Sequence, residues 1–412
     1  MKCRIQIRRI IVFLGITLLF STLSFAQERK SKDTIPSSNR FIHKIGVEVR
    51  PAYIFPVSSF FKGENETGKP IRNAFSTHLK YAFQHPYSSA IDQIYGGAYQ
   101  GIGLGFYSFS NRREIGNPVA LYLFQGARIA RFSPRLSLNY EWNFGLSFGW
   151  KPYDYDTNYR NTVVGSKANA YLNADFYLNW ALSDHFDLMA GVSLSHFSNG
   201  NTKYPNAGVN TAGVKLGLAY TINRKLSDLS LPRYQSAVTA FPRHVSYDLV
   251  FFGSWRRKGI IFGDEKIASP DTYTVVGFNF APMYNFDYKF RAGISVDGFY
   301  DGSANVYTDD YYAGGTELNF YKPSLSKQLA LGLSGRVEYV MPYFSVNLGV
   351  GVNALHRGGD LKGFYQVLAL KMDVTRNIFL HVGYSIHDFE RPNFLMLGIG
   401  FRFNNKYPAI RR

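Results

Sequence analysis

Leu136-Ser-Leu-Asn-Tyr-Glu-Trp-Asn-Phe-Gly-Leu-Ser-Phe-Gly-Trp150 decides the class of fold. Its even positions carry Leu136, Leu138, Tyr140, Trp142, Phe144, Leu146, Phe148 and Trp150, and its odd positions carry only Ser, Asn, Glu and Gly. A two-residue period sustained this long is a β-strand with one apolar and one polar face. The same division recurs over 168–180, where Leu172, Phe176, Leu178 and Trp180 oppose Asn169, Asn173, Asp175 and Asn179, and again over 395–403. Runs of this kind predict strands near 44–55, 74–85, 97–108, 119–132, 135–152, 168–181, 186–198, 209–222, 244–257, 273–285, 290–301, 329–340, 344–355, 363–374, 378–388 and 394–403.

Composition says which face meets what. Aromatic residues make up 17% of the chain and charged residues 18%. Beyond the first 26 residues, no stretch approaches the roughly 20 apolar residues of a membrane helix. Rows of Trp, Phe and Leu opposite Gly-rich polar rows fit lipid outside and a polar lumen inside, so the expected fold is all-β, a transmembrane antiparallel outer-membrane β-barrel of about sixteen strands. A soluble barrel with its apolar face inward is the alternative. Connections alternate in length: short turns at Phe132–Arg135, Ser183–His185, Asn285–Lys289, Met341–Tyr343 and Val374–Asn377 mark the periplasmic side, and long segments at 109–118, 153–167, 258–272, 302–328 and 356–362 the extracellular side. Two periplasmic connections, 86–96 and 223–243, are anomalously long, and the second divides the strands eight and eight. One wide barrel is the favoured arrangement and two tandem eight-stranded barrels the alternative. A faint correspondence between 186–197 and 378–389 is consistent with duplication.

The first 26 residues read as an export signal, with Lys2, Arg4, Arg8 and Arg9 before an apolar run and a Ser-Phe-Ala exit, so cleavage is expected between Ala26 and Gln27. The expected organisation is then a 27–43 extension, strands over 44–222, a connection at 223–243, strands over 244–403 and a 404–412 tail. Removing the signal takes away Cys3, the only cysteine, and leaves 42 basic against 29 acidic residues, a net charge of +13. Disulfides and thiol nucleophiles are thereby excluded. No His and carboxylate spacing suggests a zinc site, no cofactor is indicated and no nucleic-acid partner is expected. Gly101, Gly103 and Gly105 read as lumen-facing strand glycines rather than a phosphate loop. Asp309 and Asp310 read as a solvated pair rather than a cation site, and His381 and His387 as lumen lining.

One segment departs from this pattern: Leu194-Ser-His-Phe-Ser-Asn-Gly-Asn-Thr-Lys-Tyr-Pro-Asn-Ala-Gly-Val-Asn210. His196 and Ser198 continue the lipid-facing parity of Leu188, Val192 and Leu194, and Asn210 shares parity with Ala212, Val214 and Leu216. Three polar side chains therefore point outward at the extracellular end, where lipid makes them a functional signal. Nucleophilic acyl transfer fits them. A serine needs a base within reach, a histidine two residues away shares its face, and the Asn210 carbonyl can fix the imidazole tautomer. Asn199 and Asn206 offer amide donors for an oxyanion. The plainer reading is interfacial hydrogen bonding around a loop.

His196-Phe-Ser198-Asn199, Pro205-Asn206 and Gly208 resemble, in identity and spacing, the PagL-type lipid A 3-O-deacylases, also described as acyloxyacyl hydrolases. That resemblance covers about 44–222; the second half resembles no family by its residues. It implies an eight-stranded outer-membrane barrel with a Ser/His/Glu site on its outer wall. Ser198 would be the nucleophile, His196 the base, Asn199 and Asn206 the oxyanion support with Gly208 beside them, and lipid A of lipopolysaccharide the substrate. The chain departs from the family in placing Asn210 where the catalytic glutamate falls. Asn210 then orients His196 without charge, or Asp154 or Asp156 of a neighbouring loop substitutes (Asp175 faces the lumen), or the chain binds lipid without turnover. Arg112, Arg113, Lys203, Arg256, Arg257, Lys258 and Arg357 lie in or beside extracellular loops, where they would contact lipid phosphates or simply be solvated. A non-enzymatic barrel, either a pore or a lipid-binding protein, is the competing expectation. Oligomeric state is not encoded in any of these features.

Overall fold

The computed structural model describes residues 40–407 apart from 88, 231–237, 263–264, 269–270, 309–319 and 390. The expected export signal, its cleavage point and Asp309–Asp310 lie outside the described residues. Eight strands form first: β1 (Ile42–Ile54), β2 (Asn73–Gln84), β3 (Tyr99–Ser108), β4 (Gly116–Arg131), β5 (Leu136–Trp150), β6 (Ala168–Ala181), β7 (Phe186–Ser198) and β8 (Val209–Ile222). β8 then pairs with β1 over His43↔Ile222 to Ile54↔Thr211, which closes the barrel. A second antiparallel barrel follows from β9 (His244–Arg256), β12 (Tyr273–Asn285), β13 (Phe290–Asp301), β14 (Leu329–Val340), β15 (Phe344–Leu355), β16 (Phe364–Asp373), β17 (Ile378–His387) and β18 (Arg391–Phe403), with β18 paired back to β9. A small hairpin, β10 (Gly259–Phe262) and β11 (Glu265–Ala268), rises from the loop after β9. The expectation of one wide barrel is thus corrected to two closed eight-stranded barrels. Every strand edge finds its partner within its own half, so no sixteen-strand seam is needed.

Alternation sorts the faces as expected. Val192, Val214, Leu172, Leu397 and Ile399 are exposed outward, whereas Asn173, Asp175, Ser193, Asn347 and Ser334 are buried inward. An eight-stranded barrel has an interior that side chains can fill, and here ionic networks fill it. In the first barrel Arg50 Nη2 lies 2.9 Å from Asp175, and Lys215 Nζ lies 2.8 Å from Asp175 and 3.0 Å from Glu48. Lys80 joins Glu48 to Glu141. In the second, Lys371 Nζ bridges Asp248 (2.8 Å) and Glu338 (2.7 Å), Arg402 reaches Asp248 at 3.0 Å, and Arg291 pairs with Glu338.

The alternation fails at one informative place. Trp150, expected on the lipid face, is 4% exposed, because Gly149 at φ +92° adds a left-handed step that turns the next side chain inward. Its indole donates to Ser147 Oγ at 2.9 Å and packs on Phe109 and Phe197, closing the extracellular mouth together with Phe60 and Phe61 of the helix Ser59–Lys62.

The long 86–96 connection also has a physical account. Its helix Ala90–Tyr95 packs Ile91 and Tyr95 against Ala127 and Tyr140 of the outer wall, and the Tyr95 hydroxyl donates to the Tyr288 carbonyl of the second barrel at 3.1 Å. Beside it Trp142 meets Phe344 edge to face at 5.2 Å. The segment is a wedge between barrels, which is why Tyr140 and Trp142 are covered on an otherwise lipid-exposed face.

Candidate active site

Antiparallel register assembles the site. β7 and β8 pair His196 directly with Asn210, so their side chains emerge side by side from one face. Ser198 lies two residues along β7 and emerges from the same face. Asn210 Oδ1 lies 2.6 Å from His196 Nδ1, and Ser198 Oγ lies 2.9 Å from His196 Nε2. An amide oxygen can only accept, so Nδ1 carries the proton and Nε2 presents its lone pair to the serine hydroxyl. That tautomer is the one a general base requires. All three side chains are half-buried on the outer wall, above the exposed Leu172, Val192 and Val214.

The loop 199–208 is braced from within. Asn199 is 6% exposed; its backbone N–H donates to Asn206 Oδ1 at 3.0 Å and its side-chain amide to the Lys203 carbonyl at 2.9 Å. The Asn199 amide thus braces the loop, and Asn199 is not among the residues bordering the opening. Asn206 Nδ2 donates to Asn201 Oδ1 at 3.3 Å, and Asn206 borders the opening. Gly208 sits at φ +74°, where a Cβ would come 2.9 Å from the Phe197 carbonyl and 3.3 Å from the imidazole. Its N–H donates to the Val163 carbonyl at 3.0 Å and that of Ala207 to the Thr162 carbonyl at 3.3 Å. Loop 153–167 thereby holds the site loop, a support the sequence did not signal.

Neither proposed substitute carboxylate joins the imidazole. Asp154 Oδ1 accepts from Thr157 Oγ1 and from the N–H groups of Thr157 and Asp156, an Asx turn whose hydrogen bonds hold the carboxyl below its ordinary range. Asp156 is exposed in the same turn, and Asp175 is locked to Arg50 and Lys215 in the lumen. Asn210 alone occupies the orienting position.

The basic residues divide into groups. Arg113 is paired with Glu66 at 3.0 Å, and Arg112 and Arg357 are exposed; none of the three borders the opening. Lys203, Arg256, Arg257 and Lys258 do border it, in a cleft of about 1940 Å³ whose walls come from both barrels. Arg256 is held by Asn393 and Asp301, and Lys258 by Asp360. Burial opposes ionisation of Asp360, but Lys258 beside it, together with the Asn305 N–H and Arg256, keeps the carboxyl below its usual range. His387, expected as lumen lining, borders the cleft with its Nε2 3.1 Å from Asp388, whereas His381 is buried in the lumen.

Among solved structures the chain is similar to Neisserial surface protein A, at 9% identity over 45% of this chain and 99% of that one, with a TM-score of 0.28. It is also similar to the translocator domain of autotransporter NalP from Neisseria meningitidis, at 8% identity over 89% of each chain and a TM-score of 0.16. No curated protein matches. Residues 76–219, β2 to β8, match the family described as lipid A 3-O-deacylase (PagL). Residues 245–405 match the acyloxyacyl hydrolase C-terminal domain, so the second barrel, which resembled no family by its residues, does have one. Spanning both barrels, these matches place the chain in the PagL lipid A 3-O-deacylase and acyloxyacyl hydrolase family.

Proposed function

We propose that the protein is an outer-membrane serine esterase that removes an ester-linked acyl chain from lipid A of lipopolysaccharide. The observation that carries this reading is the unbroken hydrogen-bond chain from Asn210 through His196 to Ser198 on the lipid-facing wall, in a family whose name supplies the substrate. Ser198 Oγ attacks the ester carbonyl as His196 Nε2 accepts its proton. Asn206, which borders the opening, offers its side-chain amide to the developing oxyanion. His196 returns the proton to the departing sugar hydroxyl, and water, activated by the same imidazole, releases the fatty acid. Asn210 keeps the ring oriented throughout but lends no negative charge to the imidazolium, which makes a competent but slow catalyst.

Lipid A from cells expressing the wild type should lose one acyl chain by mass spectrometry. Ser198→Ala, which removes the nucleophile, should abolish this, a fall of about 10³-fold or more. An unchanged acylation pattern in wild-type cells would sink the activity. The pore reading has lost its support, because it needed one wide lumen.

A further inference from the structure

The cleft beside His196 is lined by both barrels. Its first-barrel wall carries His196, Asn206 and Asn210 with Lys62 and Lys203, and its second-barrel wall adds Arg257, Lys362 and Arg391. Two carboxylates of the cleft are ion-paired, Asp301 with Arg256 and Asp360 with Lys258, and Asp388 lies 3.1 Å from His387 Nε2. Arg257, Lys362 and Arg391 have no ion-pair partner among the described residues, and Lys362 and Arg391 are exposed. Three cations of the second barrel thus border the same opening as His196 and Asn210.

Arg257 and the segment next to Arg391 are tied to the loop that follows Ser198. The Arg257 N–H donates to the Asn201 carbonyl at 3.1 Å, and Asn201 Nδ2 donates to the Pro392 carbonyl at 3.3 Å. Leu395 fills the space beside Gly200. The loop that follows Ser198 is therefore a second place where the barrels meet, and Arg257 and the neighbour of Arg391, Pro392, contact it directly. Guanidinium groups match phosphate oxygens in pairs, and at a membrane interface such contacts are stronger than in bulk water.

We propose that the second barrel is the headgroup-recognition half of the site. Arg257, Lys362 and Arg391 hold a phosphate of an anionic glycolipid while its acyl chain lies along Leu172, Val192 and Val214 of the first barrel, with its ester at Ser198. This assignment rests on the esterase reading for the role of Ser198, but its binding test does not. The full-length Ser198→Ala protein, which does not turn over, is titrated in neutral detergent micelles with bisphosphorylated lipid A and with the same lipid dephosphorylated. The phosphorylated lipid should bind at least tenfold more tightly. Combining Arg257→Gln, Lys362→Gln and Arg391→Gln should bring the two affinities together, while Arg257→Lys with Arg391→Lys should retain most of the preference. Equal affinities in the parent, or a preference unchanged by the triple substitution, overturn the proposal. A protein with the phosphate preference that fails to deacylate with Ser198 intact overturns the esterase reading alone.

Discussion

At the residue scale, the parity of a strand was enough to put His196, Ser198 and Asn210 on one outward face, because a period of two leaves only two choices for each side chain. Their hydrogen bonds follow from register, which pairs His196 with Asn210. Two predictions belong here. Asn210→Glu replaces a neutral acceptor with a charged one, and hydrogen bonds to charged groups are about twice as strong; the deacylation rate measured on purified lipid A should rise about tenfold. Gly208→Ala places a Cβ at φ +74°, against the Phe197 carbonyl and the imidazole. It should lower stability by about 1–2 kcal/mol, read as a drop in melting temperature in detergent, and should reduce turnover by displacing the His196 ring. Trp150 shows where residue-level reading stops. Its inward turn depends on a single positive φ at Gly149, and glycine on a polar strand face is too common to announce it.

At the level of elements, all sixteen barrel strands were legible within a few residues, since lipid on one side and polar filling on the other enforce alternation from end to end. Which strand closes on which was not. Hydrogen bonding across a seam uses backbone groups common to every residue, so β8 pairing with β1 leaves no mark in the pattern. The two overlong periplasmic connections were one hint, beside the family resemblance of the first half: 86–96 forms the inter-barrel wedge, and 223–243 links two closed units. Of the cations across the cleft, Arg257 was legible in the sequence but Lys362 and Arg391 were hidden, because they become neighbours of the site only through docking of the second barrel. Within each barrel the strands are tied across the lumen by ion pairs. Asp175→Ala leaves Arg50 and Lys215 short of a partner in a buried site, and it should cost roughly 3–5 kcal/mol, visible as a lowered urea midpoint of the refolded barrel.

For the whole molecule, two narrow barrels filled by charge networks replace one wide one. Planar bilayers containing the purified protein should show no stepwise conductance; discrete open levels of porin size would contradict the filled lumens. The two seams bear equally on how the chain reaches its native state. Each barrel zips shut over its own half, so β1 need wait only for β8 and β9 only for β18, and the second closure does not have to span the first. The cost of that arrangement is a specific hazard of misassembly: before either seam closes, β8 and β9 both present open edges, and their pairing would start the sixteen-strand barrel that the native chain avoids. Shortening the connection between β8 and β9 should therefore favour trapped, protease-sensitive species during refolding.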